Sequence, residues 1–181
     1  IISTNYLGSK IKKEIGNGNK FDLKINYLNE KIAMGTAGSL SLLNKKNNLP
    51  LIVSNGDVLS SINYHDLLEF HYENNADLTA AVYEKKLQNP FGIVKFKKNS
   101  ILEIKEKPIS TFQILAGIYV INPNIIKKYI KKEYYNMTDL INDLIKVKKN
   151  RVLSYNISQN WIDVGNEENY IHANNYYSNY V

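Results

Sequence analysis

The 181-residue sequence contains no cysteine, which excludes a disulfide framework, a thiolate zinc site and a cysteine nucleophile. Four prolines and nine glycines are too few for a collagen-like or low-complexity chain. Apolar runs are short, Leu49 to Val53 with Pro50 inside it among them, and all fall far short of the ~20 residues that a membrane-crossing helix needs. The first residues do not read as a charged and then apolar leader. Charge of one sign is not in great excess either: 23 Lys+Arg against 17 Asp+Glu leave a formal net charge of +6. The lysines fall in scattered pairs, such as Lys12 with Lys13 and Lys127 with Lys128, whereas a phosphate-binding stripe needs them clustered on one face. The expectation is a soluble, cytoplasmic chain with neither nucleic acid nor membrane as partner. What is present, 44% hydrophobic and 22% charged residues over a single-domain length, is globular composition.

Strand and helix signals alternate along the chain. Leu7, Ile11 and Ile15 recur at helical spacing before Gly16. Residues 23–28 alternate apolar and polar as a strand does, and Leu49 to Ser54 is a short apolar run before the turn-prone Asn55-Gly56-Asp57. A helix is expected from Thr36 to Leu43, another capped by Asn63, a third capped by Asn122 with Pro123 first, a fourth opened by Thr138 and a last one begun at Asn166. Strands are expected at 78–83, 92–96, 101–105, 117–121, 152–157 and 161–164. This alternation predicts an α/β layer fold on a mainly parallel, mixed sheet, in a single domain spanning 1–181. In such folds ligands bind beyond the carboxyl ends of the strands.

Several residues there could do chemistry. Asp57 and Asp163 each follow a predicted strand, and two carboxylates converging from strand ends make a hard oxygen site suited to Mg²⁺. Taken singly, each could equally cap a turn. Gly35-Thr36-Ala37-Gly38 opens a helix, and such small residues either let a ligand approach free N–H groups or permit a tight, closely packed turn. Glu106-Lys107-Pro108 ends a strand; proline biases Lys107 to extended backbone, where its ammonium could bind a phosphate, or the charges could simply guard a sheet edge. Gly16 to Lys20 follows a helix and lacks Ser/Thr after the lysine, so it is a turn and not a phosphate loop. His65, His71 and His172 show no metal-ligand motif.

Taken in order, six segments resemble the sugar-phosphate nucleotidylyltransferases, in the branch that makes GDP-sugars: YLNEKIAMGTAGSL (27–40), LIVSNGDVL (51–59), NPFGIVKF (89–96), IKEKP (104–108), AGIYVIN (116–122) and WIDVGNEENYIHAN (161–174). The resemblance covers essentially the whole chain and implies a three-layer Rossmann-like fold. It also implies transfer of a nucleotidyl group, GTP being the expected donor, to a sugar 1-phosphate with release of pyrophosphate. Carried over residue by residue, it places Glu30, Gly35, Thr36, Ala37, Gly38 and Trp161 at the nucleotide, and Asp57 and Asp163 on Mg²⁺. Gly92, Glu106, Lys107, Gly117 and Tyr119 fall at the sugar phosphate, with Lys107 gripping the phosphate.

Two departures accompany it. The family's opening strand and G-x-G-T-R-L loop do not occur in these residues, so we expect the C-terminal portion of a longer catalytic domain, with little activity alone. Leu115 stands where many relatives have Asn. The alternatives are a non-catalytic nucleotide-sugar-binding module and a glycosyltransferase, the latter disfavoured because the turn reads Asn55-Gly56-Asp57 and not Asp-x-Asp. A homo-oligomer stays open.

Overall fold

A computed structural model describes residues 1–44, 48–158 and 160–178. In chain order the elements are β1 (Ile2–Thr4), α1 (Gly8–Ile15), a 3₁₀ turn (Asn19–Phe21), β2 (Tyr27–Asn29), α2 (Gly35–Gly38) and a 3₁₀ helix (Ser39–Leu42). Then come β3 (Leu51–Ser54), β4 (Val58–Ser60), α3 (Tyr64–Glu73), β5 (Leu78–Gln88), β6 (Ile93–Lys97), β7 (Ser100–Lys105) and β8 (Ile109–Ile121). The chain continues through α4 (Pro123–Tyr129), α5 (Met137–Ile145), β9 (Val152–Ile157), β10 (Trp161–Asp163) and α6 (Glu167–Ser178). The architecture is α/β of the Rossmann-like kind, with a mixed set of strand pairings. A four-stranded sheet runs β3-β8-β5-β9, and its non-sequential order requires crossovers. The remaining strands form a parallel pair, β1–β2, and two antiparallel pairs, β4–β10 and β6–β7. No helix among the described residues is long and apolar enough to cross a membrane.

The chain divides into two compact units. The first comprises Ile1–Val53, His71–Thr79 and Val120–Leu153; the second comprises Ser54–Phe70, Ala80–Tyr119 and the chain from Ser154 onward. In the first, α5 buries Met137, Leu140 and Leu144, spaced to form one helical stripe, and Asn136 with Asp139 makes its capping box. His71 is 1% exposed here. Its Nε2–H donates to Asn122 Oδ1 at 3.3 Å, so its Nδ1 accepts the Thr79 hydroxyl at 2.8 Å, the Asn122 orientation being set by Nδ2 donating to Ala76 O. Burial holds the His71 pKa below its usual value, opposed by the Asn122 bond and the Asp77 charge. In the second unit Ala116, Ile118 and Tyr119 of β8 are buried, as are Leu67, Ala80, Ala81 and Ile157. The β6–β7 hairpin leaves Val94, Phe96, Ile101 and Ile104 exposed.

Three local expectations change. Residues 23–26 are not strand, because Leu23 N–H donates to Gly18 O and Ile25 N–H to Asn17 O, closing a turn in place of a ladder. The helix from Thr36 stops at Gly38 and tightens to 3₁₀. Asn122 precedes α4 as expected but makes no side-chain cap, since its amide serves Ala76 and His71.

Candidate active site

The two acids, more than a hundred positions apart, are brought side by side in the second unit. β4 and β10 pair antiparallel with Asp163 opposite Val58, and the ladder closes with Val164 N–H donating to Asp57 O at 2.8 Å. A one-residue offset between neighbouring strands puts the Cα atoms of the acids on the order of 6 Å apart. Both residues are exposed. They differ in spare capacity. Asp163 Oδ1 accepts the Gly165 N–H at 3.0 Å, the turn-capping role. The Asp57 carboxylate has no partner among the described residues, so turn capping does not account for it. Two neighbouring hard oxygen donors, with three of their four carboxylate oxygens uncommitted among the described residues, fit a divalent cation that completes its shell with water and phosphate.

The β6–β7 hairpin assembles the next group. Ile93 pairs with Lys105, so Gly92 and Glu106 follow as the hairpin opens. A Cβ on Gly92 would lie 3.0 Å from Glu106 Oε2, so the missing side chain is what lets that carboxylate approach. Neither the Glu106 carboxylate nor the Lys107 ammonium has a partner among the described residues. Lys107 is not extended as its proline neighbour predicts: its φ is +43°, the left-handed region that costs a non-glycine residue about 1–2 kcal/mol. Strain of this kind persists where surrounding structure enforces it, and it collects at functional sites.

β8 supplies Gly117 and Tyr119. Gly117 has φ +73°, and a Cβ there would meet Asn55 Nδ2 at 2.9 Å and Val58 Cγ2 at 3.1 Å. Asn55 N–H donates to Gly117 O at 2.8 Å. Tyr119 is only 4% exposed, and burial raises its phenol pKa, so it belongs to the core rather than to an open wall. Trp161 is anchored twice: its indole N–H donates to Ala116 O at 2.8 Å, and its ring stacks on Tyr83 with centroids 5.2 Å apart. Tyr83 is a residue that sequence reasoning missed here, and no local pattern signals it; Asn55 is marked in sequence only as part of the turn before Asp57.

The nucleotide residues expected from sequence lie in the first unit. Both Glu30 carboxylate oxygens are committed, one to the Ser3 hydroxyl at 2.6 Å and one to the Met34 N–H at 3.0 Å. Glu30 thereby holds the turn that leads into Gly35. In that turn the amides of Ala37 and Gly38 do not face a ligand: both donate to Tyr135 O, at 2.9 and 3.0 Å. Thr36 Oγ1 accepts the Met137 N–H at 2.8 Å. A Cβ on Gly38 would sit 2.4 Å from Glu133 O. Of the two roles open to this cluster, close packing against residues 133–137 is the one these contacts display. A cavity of about 610 Å³ in this unit, lined by Leu40, Leu43, Leu51, Ile126, Ile130 and four lysines (127, 128, 131 and 132) among others, includes none of the expected site residues. A second cavity, of about 650 Å³, has Glu30 on its wall with Thr4, Asn5, Lys10 and Lys12. His65, Asp66 and Glu69 form an exposed cluster on α3, away from any of these groups in sequence.

The chain itself is similar to known proteins over most of its length. The family model described as Nucleotidyl transferase matches residues 1–179. A mannose-1-phosphate guanylyltransferase of Mycobacterium tuberculosis (strain ATCC 25618 / H37Rv) is 30% identical over 177 residues, which are 94% of this chain and 49% of that protein. A glucose-1-phosphate adenylyltransferase of Clostridium botulinum (strain Alaska E43 / Type E3) is 34% identical over 135 residues, 68% of this chain and 35% of that protein. Among solved structures, HddC from Yersinia pseudotuberculosis has the same fold, with a TM-score of 0.71 at 21% identity, over 97% of this chain and 76% of that one. The chain spans about half the length of the curated relatives it matches.

Proposed function

Since the chain belongs to the nucleotidyl transferase family, we propose that it is part of a cytoplasmic sugar-1-phosphate nucleotidylyltransferase that works with Mg²⁺ and takes GTP as donor. The observation that carries the reading is the pairing of β4 with β10, which brings Asp57, just ahead of β4, next to Asp163 at the end of β10, with carboxylate oxygens uncommitted among the described residues. Asp57 precedes β4, so it is not bound to the strict alternation that would aim one-step neighbours to opposite faces. Guanylyl transfer to a hexose-type sugar such as mannose follows the guanylyltransferase relatives, and the adenylyltransferase relative makes the base the first thing to test.

In the proposed reaction an oxygen of the sugar 1-phosphate attacks the α-phosphorus of the triphosphate, the new P–O bond forms, and pyrophosphate leaves with the electron pair of the broken bond. Two anions must meet in line, so positioning and charge neutralisation are the protein's work. Asp57 and Asp163 would hold the ion, which supplies charge neutralisation at phosphate oxygens. Lys107 would balance the incoming phosphate, its ammonium without a partner among the described residues and its backbone at a strained φ of +43°. Glu106, beside Gly92, would accept sugar hydroxyl protons. The cysteine-free sequence is compatible with this chemistry, which needs no covalent nucleophile.

The test uses the full-length protein. Pyrophosphate release is measured with GTP, ATP and dTTP against mannose and glucose 1-phosphates. Asp57→Asn and Asp163→Asn are each expected to lose about two orders of magnitude in turnover, the size of effect that removing one preorganised electrostatic group has. Near-normal release by both variants would reject the metal assignment. Tight nucleotide-sugar binding without turnover in the unaltered protein would favour the non-catalytic module.

A further inference from the structure

The kink at Gly117 connects both acids through consecutive carbonyls. Ala116 O receives the Trp161 indole N–H at 2.8 Å, and Gly117 O receives the Asn55 N–H at 2.8 Å. Trp161 begins β10, the strand that ends at Asp163; Asn55 begins the turn that ends at Asp57. The β4–β10 ladder then ties the two far ends together through Val164 N–H and Asp57 O. The result is a closed ring of hydrogen bonds in the second unit, with the acids at one end and two β8 carbonyls at the other. Ordinary extended backbone would turn consecutive carbonyls to opposite sides of the strand. The positive φ of Gly117, +73°, breaks that alternation at this point. A side chain there would push against Asn55 Nδ2 at 2.9 Å.

We propose that Ala116 and Gly117 are the positioning joint of the acid pair, with Trp161 as the positioning residue that holds the Asp163 strand against it. Trp161 therefore acts on the metal through the β10 backbone and does not touch the ion. This role rests on the reading of Asp57 and Asp163 as a divalent-cation site. It also revises the one that resemblance gives to Trp161, because the indole N–H and one ring face are already committed to Ala116 and Tyr83.

The experiment is a Mn²⁺ titration of the 181-residue chain followed by electron paramagnetic resonance, with circular dichroism and melting recorded on every variant. Trp161→Phe keeps a smaller ring able to stack on Tyr83 and deletes the N–H donor. It is expected to weaken Mn²⁺ binding by about 10–100-fold, the usual consequence of removing a group that orients a ligand, while the fold persists. Gly117→Ala, which strains the kink directly, is expected to weaken it at least as much and stands in should Trp161→Phe fail to fold. Asp57→Asn is the reference for the site itself. Loss of Mn²⁺ binding in Asp57→Asn together with unaltered binding in a folded Trp161→Phe or Gly117→Ala overturns the joint and leaves the acid site standing. Unaltered binding in Asp57→Asn, or none by the parent chain, overturns the acid site and with it the joint.

Discussion

Replacing glycine by alanine ordinarily stabilises a protein by about 0.4–1 kcal/mol, since alanine has less freedom to lose on folding. At Gly35 the sign should reverse. Its φ of +70° costs an alanine about 1–2 kcal/mol in the left-handed region. The new Cβ would lie 2.7 Å from Tyr135 O, a backbone atom that cannot swing aside, and 2.7 Å from Asn136 Oδ1. Asn136 is the N-cap of α5, and disturbing such a cap costs about 1 kcal/mol more. The expected loss for Gly35→Ala is therefore about 2–3 kcal/mol, a fall in melting temperature of roughly 4–12 °C for a chain of this size. Gly56→Ala is the internal control, with nothing within 4 Å of its added Cβ and no positive φ, so it should be neutral or slightly stabilising. Urea unfolding of the two variants beside the parent reads both effects as midpoint shifts at constant slope. A Gly35→Ala midpoint within about 0.5 kcal/mol of the parent would refute the packing account and return this turn to a role in ligand approach.

Acid should destabilise the first unit through His71. Its folded pKa is lowered, chiefly by burial, so below the unfolded value of 6.5 the unfolded chain takes up a proton that the folded imidazole resists. Stability is thus full above about pH 6.5 and declines as pH falls from there towards the folded pKa; a pH series of melting temperatures should show the decline, and His71→Gln should flatten it in that window. At Lys107, replacement by glycine removes the strain of a φ of +43°, so stability should hold or rise by up to about 1 kcal/mol. On full-length protein the same change should raise KM for sugar 1-phosphate about tenfold or more with a smaller effect on kcat; an unchanged KM would remove Lys107 from the substrate.

The parts of the fold that sequence conveyed are those decided by local chemistry. Gly16 stops α1, Asn166 caps α6 through Asn169 N–H, and Met137, Leu140 and Leu144 draw one buried stripe, because caps and helical periodicity act within a few residues. The strand expected at 23–28 failed for the opposite reason. Its alternation is real, but the N–H groups of Leu23 and Ile25 find the carbonyls of Gly18 and Asn17 first, and no period-two pattern can report that competition. Asn122 shows the same limit from the other side: the residue type suits a helix cap, yet a buried histidine 51 positions away claims its side-chain oxygen.

Site residues expose a sharper version of this limit. Asp57 and Asp163 look alike in sequence, each a lone carboxylate after a short apolar strand before or within a glycine turn. What separates them is where the next free N–H falls. Gly165 lies two residues beyond Asp163 and turns its amide back onto Oδ1. After Asp57 the chain enters β4 at once, and the Asp57 carboxylate is left without a donor among the described residues. The glycine cluster at 35–38 is the converse case, an expected ligand-binding turn in which the amides of Ala37 and Gly38 donate to Tyr135 O. In both places the residue types state only what chemistry is available. Whether that chemistry remains available after folding depends on hydrogen bonds from groups that are, for Gly35 to Gly38, about a hundred positions distant, and only a polar group the fold leaves unsatisfied at the surface is free to serve a ligand.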